Sequence, residues 1–550
     1  MKQIVECVPN FSEGRNMVII DKITDEIKKI NGVDLLDVDP GKDTNRTVVT
    51  MAGEPEFVVE AAFQAIKKAG ELIDMSKHSG AHARMGATDV CPFVPVSGIT
   101  MQECVELAKK LGKRVGEELN IPVFLYAEAA QQESRRRLPD IREGEYEAME
   151  EKLKRDDFEP DFGEAKFNKN SGVTAIGARG FLIAYNINLN TKDTKIANKI
   201  AKRIREKGRT VKNKQTGIRE TIPGTLKGVQ GMGWYIEEYN MAQITINILD
   251  YKTTPIYKAF EECERFANEF GVRVTGSELV GLVPLESMLD TGIHVIEKQG
   301  GSIGVSEEEI VRIAVQTLGL NEISEFNTNE RIIEYKLRKP GNLVSMKLDE
   351  FANELSSNSP APGGGSVAAL NGSLSASLSA MVGNLTFGKK KYKDVKQDMI
   401  DASVKGQSLK AFFLDAIDKD TDAFNKIMNG FALPKKTDEE KKIRDEAILE
   451  ATKEATLVPF SVLEKTKEAA EIALITSEKG NQNSLSDAGV AGLTAESAAE
   501  GAFYNVMINL EDISDEKFKS DIKSKSIKIN NEVKEITGKI KQMLYKRFGL

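Results

Sequence analysis

The sequence predicts an α+β N-terminal half, built as two α/β sandwich-like subdomains with mixed sheets, followed by an all-α helical-bundle domain. Three observations predict it. Strand-like and helix-like periods interleave up to about residue 320. After Met346 strand signals almost vanish, long helical patterns take over, and the only prolines are Pro360, Pro362, Pro434 and Pro459. The rare residues are lopsided as well: His78, His82, His294, Cys7, Cys91, Cys104, Cys263 and Trp234 all precede residue 295. The C-terminal region therefore has neither imidazole nor thiolate, and its chemistry must rest on carboxylates, amines, hydroxyls, amides or backbone dipoles.

Taken in order, Gln3–Val8 is a short strand and Asn16–Ile30 an amphipathic helix. Gly32–Val38 is an apolar run ending in acids, and the β-branched Asn45–Met51 is its hairpin partner. Phe57–Met75 and Met101–Leu119 have helical spacing, and Ile121–Tyr126 is a further strand. Glu128–Arg155, with Arg135-Arg136-Arg137, reads as a solvated helix, and Asp156–Gly172 as a loop rich in Asp, Pro, Gly and Asn. A second unit starts near Gly180, with strands Phe181–Leu189 and Met241–Leu249 and helices Lys192–Lys207 and Pro255–Phe270. Ile187-Asn188-Leu189 echoes Ile246-Asn247-Ile248, which suggests two related half-domains. Helical runs Leu285–Lys298 and Glu307–Leu318 close this part, and Asn321–Met346 loses periodicity around Pro340-Gly341-Asn342. The divisions are thus 1–179, 180–320, a linker over 321–346, and a bundle of about five or six helices over 347–550. In the bundle, Val367, Leu370, Leu374, Leu378, Met381, Val382 and Leu385 form one apolar stripe. The other faces are Ala, Ser and Gly, which permit close helix approach.

Composition excludes several classes. Lys+Arg of 76 against Asp+Glu of 84 leaves a net charge of −8, which does not suit a general nucleic-acid binder. The acid Glu6 stands where a signal peptide needs its apolar core. Leu355–Gly388 lacks charge, but its Ser, Asn and Gly content and its Pro360–Gly365 start read as a loop and a soluble helix, not a membrane span. The four Cys have no CxxC spacing and read as isolated, buried and reduced. A cytoplasmic location is the expectation, with no membrane and no nucleic-acid partner.

Five constellations can carry chemistry. His78-Ser79-Gly80-Ala81-His82 precedes Arg84 and Asp89. A zinc site needs a third ligand, and no His or Cys sits at useful spacing, so no metal is expected. A proton-transfer His and a buried structural His both remain open. Asp37-Val38-Asp39 ends a strand before Pro40-Gly41 and suits either a turn or an orienting acid. Val229–Trp234 is only loosely like a dinucleotide loop and lacks the helix and ribose acid that would follow. Pro360–Ser366 presents free N–H groups at a helix start, fitting an anion or close packing. Asp418 and Asp422 share a helix face, Asp420 does not, and any of the three could be an acid or base or part of a solvated face.

These residues also carry a resemblance. Val5-Glu6-Cys7-Val8-Pro9-Asn10-Phe11-Ser12-Glu13-Gly14 resembles the start of glutamate formimidoyltransferases. So do Asp37–Asp39, Asn45-Arg46-Thr47, the His78–Phe93 stretch, Gly177-Ala178-Arg179, Gly228–Gly231, Leu279–Pro284 and Glu330–Tyr335. Ala361–Ala369, the Asp420 region and Tyr504-Asn505-Val506 are similar to formimidoyltetrahydrofolate cyclodeaminases. The resemblance spans nearly the whole chain and is to bifunctional formimidoyltransferase-cyclodeaminases. It implies transferase subdomains over 1–179 and 180–320 and a cyclodeaminase over 347–550. The implied substrates are N-formimidoyl-L-glutamate and polyglutamylated tetrahydrofolate as co-substrate, with no permanently bound cofactor. The implied setting is histidine breakdown feeding one-carbon metabolism, and the implied assembly a homo-oligomer built from dimers. The family's catalytic residues fall on His82 and Asp420, and Asp39 is the residue expected to orient His82. The folate-binding segment falls on Gly163, Glu164, Ala165, Lys166, Phe167, Asn168, Lys169, Asn170, Ser171 and Gly172. Methenyltetrahydrofolate cyclohydrolases resemble cyclodeaminases closely, so the last domain could be a cyclohydrolase, or a non-catalytic oligomerisation module.

Overall fold

The computed structural model describes residues 3–42, 44–80, 82–212, 218–338 and 341–550. Ala81 of the two-His loop and Pro340 of the linker lie outside the described residues. The chain divides into two compact units, one of residues 1–291 with 315–338 and one of residues 292–314 with 339–550.

The first unit opens with β1 (Ile4–Cys7), β2 (Asn10–Phe11), α1 (Met17–Lys28), β3 (Val33–Gly41), β4 (Arg46–Gly53), α2 (Pro55–Leu72), β5 (Thr88–Ser97), α3 (Met101–Leu119), β6 (Val123–Ala127), α4 (Leu138–Arg142), α5 (Glu145–Lys152) and β7 (Thr174–Ala178). Its seven strands form a mixed sheet. β3 flanks β4, β1 and β2 run in series between β4 and β5, and β7 and β6 follow in parallel. The path breaks at Val8-Pro9, where proline has no N–H to give the ladder. Helices α1, α2 and α3 cover one face through Ile23, Ile27, Val58, Ile66, Leu111 and Val115. The alternation of β6 shows both faces covered: Val123 and Leu125 join that layer, Phe124 and Tyr126 the opposite one. There Ile141 of α4 with Met149 and Leu153 at the end of α5 supply the apolar cover. The stretch expected as one solvated helix is thus a half-buried layer. It is broken because Pro139 starts α4 and Gly144 turns left-handed at φ 80° before α5. All four cysteines are free and buried, and Cys7 and Cys91 touch, with Sγ atoms 3.4 Å apart.

Then come β8 (Ile183–Leu189), α6 (Thr194–Ile204), β9 (Arg209–Lys212), β10 (Arg219–Ile222), β11 (Val229–Ile236), β12 (Met241–Ile248), α7 (Ile256–Glu269) and β13 (Val274–Val280). β11, β12, β8 and β13 form an antiparallel sheet in that order, and β9 pairs with β10 apart from it. The glycine-rich Val229–Trp234 lies within strand β11. Its Gly233 lets β11 meet α6 closely, since a Cβ there would stand 2.3 Å from the Asn198 nitrogen. The two similar triplets lie in β8 and β12, which are neighbours in one sheet, so they mark a shared environment and not two half-domains. α8 (Leu285–Lys298) and α9 (Glu307–Leu318) have the expected bounds, and α10 (Thr328–Arg331) and α11 (Ile333–Leu337) fall in the aperiodic stretch.

The C-terminal region is helical: α12 (Leu348–Leu355), α13 (Gly364–Thr386), α14 (Lys396–Phe431), α15 (Asp438–Lys479), α16 (Leu485–Glu511) and α17 (Glu516–Phe548). The burial of α13 splits the predicted stripe: Val382 is buried and Leu370 and Leu378 pack against the core, but three of its residues face out. Gly372, Ser375, Ala376, Ser379, Ala380 and Gly383 are buried, whereas Leu374, Met381 and Leu385 are 45%, 38% and 47% exposed. Small residues win the inside because the neighbours come so close. A Cβ on Gly372 would lie 2.6 Å from the Phe413 ring, and one on Gly383 would lie 2.2 Å from Ser403 Oγ.

Candidate active sites

The first site forms where distant stretches meet. Asn45, held at φ 48°, accepts from Gly14 N through Oδ1 at 3.0 Å and donates to the Ser79 carbonyl at 3.0 Å. Gly80 follows because a Cβ there would be 2.3 Å from the Thr44 carbonyl. Ser12 Oγ donates to the Gly86 carbonyl at 2.7 Å, tying the opening motif to the same loop. Behind the loop, the fully buried Asp89 pairs with both Arg46 and Arg142 and accepts from Met85 N at 3.0 Å. Two guanidiniums against one carboxylate leave a net positive cluster.

His82 is half-buried beside this cluster. Its Nδ1 lies 2.6 Å from the Ala83 carbonyl, which fixes the proton on Nδ1 and leaves the lone pair on Nε2. Burial, and next the Arg46 guanidinium, hold its pKa below the ordinary imidazole value, with Arg142 adding to the effect and Asp89 opposing it. A neutral ring with a free Nε2 can accept a proton near pH 7. In contrast, both nitrogens of His78 are engaged: Nε2 with the Asn45 carbonyl at 2.9 Å and Nδ1 with Arg84 Nε at 3.3 Å. Asp39, on β3, is exposed, and among the described residues no hydrogen bond joins it to His82.

The Gly163–Gly172 segment runs beside the His82 loop. Ala87 N donates to the Ser171 carbonyl at 2.8 Å and Val173 N to the Met85 carbonyl at 3.1 Å. Gly172, at φ 68°, permits this approach, since a Cβ would meet the Met85 carbonyl at 2.2 Å. Asn168 shapes the turn by accepting from Ser171 N at 3.0 Å. Glu164, Ala165, Lys166, Lys169 and Asn170 are exposed, and Phe167 is half-buried. A cavity of about 380 Å³ opens along the segment between Asn120 and Asn170. A second cavity, of about 890 Å³, is rimmed by Arg137, Arg205 and Lys207, with β11 and β12 contributing to its lining.

The second site lies at the start of α13. Ser366 donates to Asp420 of α14 through its backbone N–H and, at 3.3 Å, through Oγ, which also bonds the Ile417 carbonyl at 2.9 Å. Burial nevertheless raises the Asp420 pKa, so this carboxyl takes up a proton more readily than a surface Asp. Gly365 has no room for a side chain: its Cβ would stand 2.1 Å from Asp420 Oδ1. On the other flank, Asn505 of α16 lies against Gly364, with Nδ2 at 3.2 Å from the position of a Cβ. The neighbouring acids differ. Asp418 accepts from Leu343 N at 2.9 Å and Val344 N at 3.2 Å, holding the incoming chain, and Asp422 is exposed.

Arg142 and Asn45 were beyond sequence reasoning as site residues. Arg142 lies in a charged stretch whose composition predicts exposure, 53 residues from its partner Asp89. Asn45 was visible only inside a motif, and its odd backbone conformation has no signature beyond the residue type. Among the described residues no group of three His, Cys, Asp or Glu could hold a metal, and no helix is long and apolar enough to cross a membrane.

Comparison with known proteins adds to this geometry. The description "Formiminotransferase domain, N-terminal subdomain" matches residues 4–179, "Formiminotransferase domain" residues 184–338, and "Formiminotransferase-cyclodeaminase" residues 347–528. A formimidoyltransferase-cyclodeaminase of Mus musculus is 45% identical over 523 residues, 94% of each chain. A glutamate formimidoyltransferase of Streptococcus pyogenes is 43% identical over 297 residues, 54% of this chain and 94% of its own. A methenyltetrahydrofolate cyclohydrolase of Methylorubrum extorquens is 41% identical over 171 residues, 31% of this chain and 82% of its own. By its full-length match and its three domain matches, the chain belongs to the formimidoyltransferase-cyclodeaminase family of enzymes.

Proposed function

We propose that this enzyme transfers the formimidoyl group between N-formimidoyl-L-glutamate and tetrahydrofolate at His82, and cyclises 5-formimidoyltetrahydrofolate with loss of ammonia at Asp420. The observation that carries it is one chain with two proton-transfer groups of opposite character: a neutral imidazole with Nε2 free and a half-buried carboxyl with a raised pKa. In the first step N5 of the folate attacks the amidinium carbon while Nε2 of His82 takes the N5 proton. The same proton returns to the glutamate nitrogen as its bond to carbon breaks. In the second step N10 attacks that carbon, and Asp420 carries the N10 proton to the amino nitrogen, which leaves as ammonia. The cationic 5,10-methenyl product remains, so charge and atoms balance.

The Gly163–Gly172 segment takes the folate, and the Arg- and Lys-rimmed cavity suits the anionic glutamate tail. Asp39, the residue proposed to orient His82, does so without a direct hydrogen bond to the ring. Four buried free thiols support a reducing cytoplasmic setting, and histidine breakdown is the source of substrate that the family implies. The domain bounds are 1–179, 180–320 and 347–550. A homo-oligomer built from dimers is supported by the outward apolar residues of α13.

The test is to supply both substrates and follow ammonia together with the near-ultraviolet band of the methenyl product. His82→Ala is expected to abolish transfer and spare cyclisation of supplied 5-formimidoyltetrahydrofolate, and Asp420→Asn the reverse. Full transfer by His82→Ala would overturn the first assignment. The Methylorubrum extorquens relative favours one second reading, a cyclohydrolase in the helical domain. Hydrolysis of methenyltetrahydrofolate without any ammonia release would select it, and neither reaction would leave a non-catalytic module.

A further inference from the structure

The first turn of α5 holds the two parts of the transferase site at once. Tyr146 N donates to the Arg84 carbonyl at 2.8 Å, two residues after His82. The Arg84 guanidinium is gripped from the same turn, by Glu145 at 2.7 Å and by Glu147 at 2.9 Å and 2.6 Å. On the other side, Tyr146 Oη donates to the Lys169 carbonyl at 2.6 Å, in the middle of the Gly163–Gly172 segment. Its ring also packs on Phe167, centroid to centroid at 5.3 Å. Burial pushes the phenol above its ordinary value, so the proton stays on Oη and the bond to Lys169 persists at neutral pH. Glu145 takes φ 56°, a left-handed conformation unfavourable for a residue with a Cβ, directly after Gly144 at φ 80°. Two successive left-handed residues aim this turn at both partners, and such strain persists only where the surroundings enforce it.

We propose that Tyr146 is a positioning residue of the transferase, setting where the folate-binding segment stands relative to His82. It touches no reacting atom. It acts through the Lys169 carbonyl, and the inference rests on the reading of Gly163–Gly172 as the folate segment. The ends of that segment are fixed by backbone: Ser171 and Val173 pair with Ala87 and Met85, and Gly163 packs against Gly116, whose Cβ would meet Gly163 N at 2.5 Å. In the middle, Met75 N donates to the Asn170 carbonyl at 2.9 Å and Asn168 Nδ2 to the Asn120 carbonyl at 3.3 Å, and the phenol adds the tie that comes from the element that also clamps the His82 loop. A purely packing role would need only the ring.

Tyr146→Phe keeps the ring and removes Oη, so it separates these roles in the full-length enzyme. The expected result is a rise of about five- to tenfold in KM for tetrahydrofolate, the scale of one lost hydrogen bond. KM for N-formimidoyl-L-glutamate, the acid limb of the pH profile and the cyclisation of supplied 5-formimidoyltetrahydrofolate are expected to stay unchanged. A folate KM within twofold of the parent enzyme, or an equal rise for both substrates, would overturn the proposal. Lys166→Ala with Lys169→Ala tests the underlying reading separately, because these side chains line the cavity along the segment. If that pair moves the folate KM and Tyr146→Phe does not, Tyr146 is wrong and the segment stands. If the pair leaves the folate KM unchanged, the segment reading falls and the proposal with it.

Discussion

In the proposed base role of His82, the Ala83 carbonyl holds the proton on Nδ1 and leaves Nε2 to accept one, and the charge around the ring sets the pH range. With burial and Arg46 lowering its pKa, the acid limb of transferase kcat/KM is expected below the ordinary imidazole value of about 6.5. The sign follows from the base role: neutral imidazole dominates above the lowered pKa, and activity falls about tenfold per pH unit below it. A limb above 7 in a pH–rate profile would contradict this. Glu6 behaves in the opposite sense. Burial in β1 pushes its carboxyl up to about 7, with Arg179 pulling it down. The folded chain then holds a proton that the unfolded chain has released, so stability at this residue is lost as pH rises from about 4.5 to 7. Glu6→Gln is expected to raise the melting temperature at pH 8 and change it little at pH 4.5, which thermal melts at the two values will show. Rarity marks His78 and His82 as candidates, because three histidines leave few, and the resemblance points to His82. What separates it from His78 was not legible: the carbonyl of Asn45, the guanidinium of Arg84 and the carbonyl of Ala83 are contacts made only by the folded backbone.

The helix start Gly363–Ser366 shows how an element can be shaped for one side chain. Gly365→Ala places a methyl 2.1 Å from the Asp420 carboxylate, so either α13 or the carboxylate must move. Cyclisation is expected to fall at least about tenfold, with overpacking costing ~1–3 kcal/mol of stability, while transfer continues. Unchanged cyclisation would mean that Asp420 need not sit against the glycines. Asp418→Ala separates the neighbouring acid. It unties the backbone N–H groups of Leu343 and Val344, and a loss of ~1–3 kcal/mol in denaturant unfolding is expected with little change in cyclisation kcat. The element bounds were legible where one period dominated: Met101–Leu119, Leu285–Lys298 and Glu307–Leu318 need only their own side chains to declare a helix. β5, β7 and β13 carry no such signal in the sequence. β5 and β7 lie inside the sheet and are apolar on both faces, so they lack the alternation that marks a half-exposed strand. The α13 stripe is only partly inward for a related reason: spacing groups Leu374, Met381 and Leu385 with the buried Val382 but does not say which of them a neighbouring helix covers.

For the whole molecule, that outward face bears on assembly. α13 and α16 run antiparallel in a register set by two bonds, Asn371 to Ser497 at 3.1 Å and Ser375 Oγ to the Ala491 carbonyl at 2.8 Å. This register sets Leu374 of α13 near Leu493 and Val490 of α16, which are 52% and 46% exposed. Met381 and Leu385 extend the strip along α13. Exposed apolar residues gathered on one side of two packed helices suit a covered surface, and we propose a second copy as the cover, because a two-fold contact joins a patch to itself. Leu374→Asp combined with Leu493→Asp would place four carboxylates in that interface with no partner charge. Burying them unpaired costs several kcal/mol, so the dissociation constant is expected to rise at least about a hundredfold. Light scattering at micromolar concentration should then report a smaller particle with unchanged helical circular dichroism. Transfer of the formimidoyl group should persist, because His82, Arg84 and Tyr146 bond to one another's neighbours inside one chain. An unchanged particle mass would show that the strip is covered in some other way and that the copies meet elsewhere.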